Sequence, residues 1–427
     1  MQNKVLIIED SRTALNIVVR LVEQTGLVPV VSRTLTEARH VFIHSTPEEF
    51  LCAIVDYNLP DSPCGEAIDF CIQSILPTIV VTGRLDSDTR EDVLRREVVD
   101  YIPKENAQTY DYLARLLKRL EHNKQIGVVV AGQDRPTAVK MYSLLRRHNF
   151  ITYEASTAEK TYQLVRDNPE IRVVITGRHF SDDKSTSVIS NLRVDYPKER
   201  LAIISVSEPD AQLNSARFIK SGANDFLLTP FCHEEFLCRI TQNIELIEHV
   251  EALTSMANSD FLTGLFNRRY FLSKLSALAA KRPERYALAV LDLDNFKQVN
   301  DTYGHDAGDI VLVHTAAVLR QHFADAVFAR FGGEEFCIFM PDICAEHALS
   351  RIETLRALIS QQSVKVGDEN IHVTISAGLL TAKASSLVSS ISRADKLLYQ
   401  AKNAGRNCVV SDIAFSRALD RAAQRTA

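Results

Sequence analysis

One strand–helix plan occurs twice in about the first 240 residues, and this internal repeat constrains the fold more than any other feature of the chain. Residues 5–8 form a short apolar run that ends on two acids, and residues 11–24 have the spacing of an amphipathic helix. Residues 51–55, 78–81 and the segment around 98–102 read as further strands. Residues 127–131 answer 5–9, residues 172–176 answer 53–56, and residues 222–231 answer 99–104. Buried strands alternating with helices predict parallel sheets covered on both faces. In such doubly wound sheets, function gathers beyond the carboxyl ends of the strands.

At about 150 residues per domain, 427 residues leave room for a third unit. The expected boundaries are 1–122 and 123–245 for the repeats, 246–258 for a helical connector and 259–427 for the last unit. In the helix expected from His233 to Asn258, Leu237, Ile240, Ile244 and Ile247 form one seam. Its first half is expected to pack on the second repeat and its end to project as a connector. The third unit has another pattern. A strand over 286–293 ends in Asp292-Leu-Asp294, and runs at 327–331 and 336–340 flank Gly332-Gly333-Glu334-Glu335, a strong hairpin signal.

The formal charge of 49 − 54 = −5 argues against a nucleic-acid partner. The amino terminus has only four consecutive apolar residues before its acids, too few for a secretory signal, and no apolar run is long enough to span a bilayer. The eight cysteines include no Cys-x-x-Cys pair. A cytoplasmic protein with reduced thiols and no membrane insertion is expected.

Glu9 and Asp10 follow the first strand, Asp56 another, Thr82 ends the next, and Lys104 follows Tyr101-Ile-Pro. These positions converge at one rim of a doubly wound sheet, where three carboxylates repel unless a cation such as Mg²⁺ joins them. Lys104 and Thr82 could then steady a phosphoryl group. The set resembles the receiver domain of bacterial response regulators. The resemblance makes Asp56 the phospho-acceptor, Glu9 and Asp10 the Mg²⁺ holders and Tyr101 the switch aromatic, with a histidine kinase or phosphotransfer protein as donor. In the second repeat, Ala131 and Gly132 are read in place of the acidic pair, Thr176 in place of Asp56 and Thr229 in place of Lys104. A degenerate receiver serving as a packing and dimerisation adaptor is expected.

In the third unit, Asp292 at a strand end and Glu334 and Glu335 at a turn are expected to share one metal cluster. Gly332 and Gly333 let a ligand approach the backbone closely. Residues 331–336, Phe-Gly-Gly-Glu-Glu-Phe, carry the GGDEF signature in its GGEEF form, with Arg330 preceding it. Residues 260–269, 292–309 and 394–407 match the family's other motifs, and the layout resembles PleD-type diguanylate cyclases.

That resemblance implies an α/β unit with a mixed, largely antiparallel sheet that makes cyclic di-GMP from two GTP, one bound per copy of a homodimer. By it, Asp292, the Leu293 carbonyl, Glu334 and Glu335 serve Mg²⁺, and Glu335 helps activate the 3′-hydroxyl. Amides near Asn295, Phe296 and Lys297 cradle phosphates, Lys402 and Arg406 meet the terminal phosphates, and Asn300 and Asp309 read guanine. Asp260 pairs with Arg330 in a structural role. The family's Arg-x-x-Asp product-binding positions are Phe323 and Ala326 here, with Arg320 and Asp325 out of register, so weak or absent feedback is expected. The alternative is a non-catalytic relay binding GTP or cyclic di-GMP. A DNA-binding regulator would need a basic helix-turn-helix, and none is apparent.

Overall fold

The computed structural model describes residues 3–83, 92–93, 95–96, 98–104, 107–178, 180–182, 185–208, 212–280, 285–382 and 387–412. It comprises two compact units, Met1–Val250 and Glu251–Ala427.

The first unit contains two five-stranded sheets. Strands β1 (Lys4–Ile8), β2 (Val28–Ser32), β3 (Phe50–Asp56), β4 (Thr78–Thr82) and β5 (Asp100–Pro103) lie in the order β2-β1-β3-β4-β5, all parallel. Strands β6 (Gly127–Ala131), β7 (Ile151–Ala155), β8 (Ile171–Thr176), β9 (Ala202–Ser207) and β10 (Asp225–Leu228) repeat that order, also parallel. β3 is buried along its whole length because helices cover both faces of its sheet, which is why it reads as a continuous apolar run. These are the two flavodoxin-like receiver folds expected.

The strand registers correct one sequence reading. Ile8 pairs with Ser32 and Val55 in the first sheet, and Ala131 pairs with Ala155 and Thr176 in the second. Ala131 therefore corresponds to Ile8 and Thr176 to Val55, one step short of the acids. Gly132, Gln133 and Gly177 stand at the places of Glu9, Asp10 and Asp56, while Thr229 holds the place of Lys104 as read. A capping contact repeats with the same offset. Asp61 accepts from the Leu35 and Thr36 amides, and Asp182 accepts from those of Ala158 and Glu159. The second rim has no carboxylates at these positions, and the Phe180 ring lies 2.6 Å from where a Cβ on Gly132 would stand.

The two sheets are bridged within this unit. Asn149, at φ 62°, donates to the carbonyls of Leu51 and Leu120 at 3.2 and 3.3 Å. Arg119, on the helix Ala107–Asn123, grips both carboxylate oxygens of Glu248 at 2.9 Å. Glu248 lies on the helix His233–Asn258, whose Phe236, Leu237, Ile240, Ile244 and Ile247 are buried in the second sheet's core while Leu246, Leu253 and Met256 are exposed.

The second unit is built on a six-stranded mixed sheet. Its members are β11 (Phe266–Asn267), β12 (Tyr286–Leu293), β13 (Val327–Gly332), β14 (Glu335–Pro341), β17 (Ile375–Ala382) and β18 (Val409–Ser411). β15 (Ser363–Val366) and β16 (Glu369–His372) form a separate hairpin. The order is β11-β13-β14-β12-β17-β18, with β12 antiparallel to both β14 and β17. A Cβ on Gly378 would lie 2.1 Å from the Ala394 carbonyl oxygen, so only glycine lets the helix Leu387–Asn403 rest directly on β17. That close seat sets the height at which Lys402 meets the end of β12.

Among the described residues no helix is long and apolar enough to cross a membrane, and the eight cysteines are all free.

Candidate functional site

At the first rim, one oxygen each from Glu9, Asp10 and Asp56 lies within 4.8 Å of the others. Glu9 and Asp56 are buried and Asp10 is exposed. Lys104 projects between them, with Nζ 2.6 Å from Glu9 Oε2 and 2.8 Å from Asp56 Oδ2. Its backbone amide donates to the Thr82 carbonyl at 2.8 Å, which fixes where the side chain starts. Burial raises the Glu9 pKa, with repulsion from Asp56 adding and Lys104 opposing. Burial works against the charge on Lys104, but its bonds to Asp56 and Glu9 outweigh it and raise that pKa. Tyr101 is half-buried against the core of the first sheet. A chain of contacts beside Asp56 was not anticipated from sequence. The Tyr57 hydroxyl donates to Asp92 at 3.0 Å, and Arg96 joins Asp92, Asp69 and the Gly65 carbonyl.

In the second unit, register places Asp292 opposite Glu335 on β14 and Ser376 on β17. Facing residues of an antiparallel pair project to the same side, so Asp292 and Glu335 share a face. The turn between β13 and β14 uses φ 142° at Gly332 and 50° at Gly333. Arg330 braces that turn, donating through Nε and Nη2 to the Gly333 carbonyl at 2.9 and 2.7 Å. Its Nη1 meets Asp260 at 3.0 Å, and Asp260 also accepts from the amide and hydroxyl of Thr263. The Asp260–Arg330 pair expected from sequence is thus present.

Lys402 Nζ lies 2.7 Å from Asp292 Oδ2. Burial raises the Asp292 pKa, Asp294 adds to it, and Lys402 and Arg406 oppose it. Glu334 is raised by burial, then by the charges of Asp292 and Glu335, with Lys402 opposing. Among the described residues, Asp292, Glu334 and Glu335 are less closely gathered than Glu9, Asp10 and Asp56, whose ligand oxygens all lie within 4.8 Å of one another.

Asn295 adopts a left-handed conformation at φ 55° and caps the helix Phe296–Tyr303, so the amides of Asn295, Phe296 and Lys297 lie at its amino end beside Asp292 in sequence. Asn300 Oδ1 lies 1.9 Å from where a Cβ on Gly308 would be, so Gly308 makes room for Asn300 next to Asp309. Arg406 is exposed at φ 65° just past the helix carrying Lys402. At the product-binding positions, Phe323 is fully buried, and Arg351 lies 4.7 Å over its ring. Arg351 also holds Asp325 through two bonds of 2.7 and 2.9 Å.

The site can be compared with known proteins. Residues 257–408 match the family described as diguanylate cyclase, GGDEF domain. Diguanylate cyclase VdcA of Vibrio cholerae is 31% identical over 271 residues, which cover 62% of this chain and 80% of that protein. The chain belongs to the GGDEF diguanylate cyclase family. Within that family, its response-regulator relatives include PleD of Caulobacter vibrioides, 33% identical over 238 residues that cover 52% of each chain. The crystal structure of a putative two-component system response regulator/GGDEF domain protein is 35% identical, covering 58% of this chain and all of that one at a TM-score of 0.51. The chain spans about half the length of curated relatives such as PleD, at 52%, and diguanylate cyclase A of Treponema denticola, at 45%.

Proposed function

We propose that the chain is a response regulator that condenses two GTP into cyclic di-GMP under the control of phosphorylation at Asp56. The observation that carries this reading is the facing of Asp292 and Glu335 beside the Gly332-Gly333 turn, with Lys402 at the same carboxylate. Each 3′-hydroxyl oxygen bonds to the α-phosphorus of the other GTP while the α–β bridging P–O bond breaks, so pyrophosphate leaves and the hydroxyl proton passes to a carboxylate. One chain presents one such site, so two copies must face each other, and positioning provides much of the rate. Asn300 and Asp309 read guanine, the amides of Asn295, Phe296 and Lys297 hold phosphate, and Lys402 and Arg406 take the terminal phosphates. The oxygen donors suit a hard cation. Mg²⁺ would be held by Asp292, Glu334, Glu335 and the Leu293 carbonyl, where it would offset charge on the phosphates, and at the first rim by Glu9, Asp10 and Asp56.

Phosphoryl transfer from a kinase or phosphotransfer protein to Asp56 adds charge beside Lys104, drawing that cation from Glu9. The resulting shift of the receiver favours pairing of two copies in the cytoplasm. The test is incubation of purified protein with GTP and Mg²⁺, with and without beryllofluoride, followed by chromatographic separation of nucleotides. Cyclic di-GMP that rises with beryllofluoride supports both halves of the reading. Equal product in both removes the switch, and no product at any protein concentration removes the enzyme.

A further inference from the structure

Asp294, two residues beyond Asp292, is buried and has both carboxylate oxygens occupied. Oδ1 accepts from the Ser376 hydroxyl at 2.6 Å, and Oδ2 accepts from the Thr374 hydroxyl at 2.7 Å and the Asn407 amide at 3.0 Å. A carboxylate so engaged is poorly placed to ligate a metal, in contrast with Asp292 beside it.

The Asn407 contact has a second anchor. Asn407 Oδ1 accepts from Arg356 Nη1 at 2.9 Å, and Arg356 is itself held by Glu353 at 2.8 Å. Asn407 and the preceding Arg406 adopt left-handed conformations, at φ 45° and 65°. Two consecutive non-glycine residues in that region carry strain and persist only where their surroundings hold them. Asp294 and Arg356 grip the second of the pair, and the Arg406 amide is tied back to the Ala401 carbonyl at 3.2 Å. The helix carrying Lys402 therefore ends in a fixed hook, with the exposed Arg406 side chain on it.

We infer that Asp294 and Arg356 are positioning residues that hold the Arg406–Asn407 hook, and through it the Lys402 and Arg406 cations, in place for the β- and γ-phosphates of the nucleotide. The inference rests on the proposed GTP chemistry. It divides the strand-end acids by task, Asp292 to the reacting centre and Asp294 to the backbone that aims the cations.

The experiment compares the full-length chain with Asp294→Asn and Arg356→Gln, measuring equilibrium affinity for a non-hydrolysable GTP analogue and for GMP, which lacks the β- and γ-phosphates. Asp294→Asn keeps the size but removes the charge and leaves one acceptor oxygen for the three donors that Asp294 serves. It is expected to weaken the GTP analogue about tenfold, the loss typical of a charge-assisted hydrogen bond, and GMP less than about twofold. Arg356→Gln, which loosens the hook from outside the site, is expected to act in the same direction at about threefold. Equal losses for both nucleotides, or none, would overturn the inference. If Asp294→Asn does not fold, Arg356→Gln decides. A wild-type chain that binds neither nucleotide would instead overturn the GTP reading, and one that binds both equally would remove the cations from the phosphates.

Discussion

Lys402 and Asp292 meet at 2.7 Å, so the cation assigned to phosphate already rests on the carboxylate at the centre of the site. The two roles compete for one ammonium group, and the balance between them can be measured.

Burial holds the Asp292 carboxyl above its ordinary range and Lys402 opposes that shift, so removing the lysine lifts it further. Lys402→Met is expected to move the acid limb of the pH–rate profile for cyclic di-GMP synthesis to higher pH. It should also raise the KM for GTP about tenfold through the lost phosphate contact. An unmoved acid limb would show that Lys402 does not neutralise Asp292 during turnover.

Lys104 occupies the space between Glu9 and Asp56 that a divalent cation would share. In Lys104→Ala the carboxylates repel without compensation, so Mg²⁺ should stabilise the variant more than the parent. Thermal unfolding with and without Mg²⁺ is expected to give a shift larger by ~3 °C in the variant.

Arg330 holds the hairpin tip through the Gly333 carbonyl. Arg330→Met should loosen Glu334 and Glu335 without removing a nucleotide contact. Steady-state rates are expected to show kcat falling about thirtyfold while the KM for GTP changes less than about threefold. A fall confined to KM would place Arg330 on the substrate instead.

His148, near the joint between the two parallel sheets, is held at about 4, chiefly by burial and further by the charge of Arg147. Its folded value lies below its unfolded value of about 6.5, so the unfolded chain binds the extra proton between those limits. The stability it contributes is present above about pH 6.5 and is lost as pH falls toward 4. Because the residue as a whole is only half-buried, about 1–2 kcal/mol is expected rather than the full shift. His148→Gln should flatten the acid side of a thermal-stability profile, and an unchanged slope would assign it to other groups.

Phe323 and Ala326 stand at the product-binding positions, so neither position carries a cation for a second nucleotide, and the neighbouring Arg351 is committed to Asp325. Initial rates are expected to stay within about twofold as cyclic di-GMP is added at concentrations near a typical KM. Strong non-competitive inhibition would identify a product site elsewhere.

The parallel sheets were legible because buried strands leave unbroken apolar runs, and the hairpin because two glycines separate two such runs. The register of the second repeat was not, since β6 and β8 read Gly-Val-Val-Val-Ala and Ile-Arg-Val-Val-Ile-Thr. One apolar residue substitutes for the next in such runs, so a slip of one position leaves no mark. The capping acids Asp61 and Asp182 carried the missing landmark, because each must sit a fixed distance beyond its strand to reach the helix it caps. Asp294 was visible as a motif residue without a task, since its partners Thr374 and Asn407 lie 80 and 113 residues away. Only the folded unit brings them to it.

The ring of Phe180 against Gly132 has a consequence for signalling arithmetic. A rim closed by an aromatic ring, with glycine at the acceptor position, has nothing for a phosphoryl donor to write on. With Asp56 as the proposed acceptor, each molecule registers a single event at the two rims, and the proposed facing pair at most two. A response to phosphodonor steeper than second order would have to arise from larger assemblies rather than from these rims.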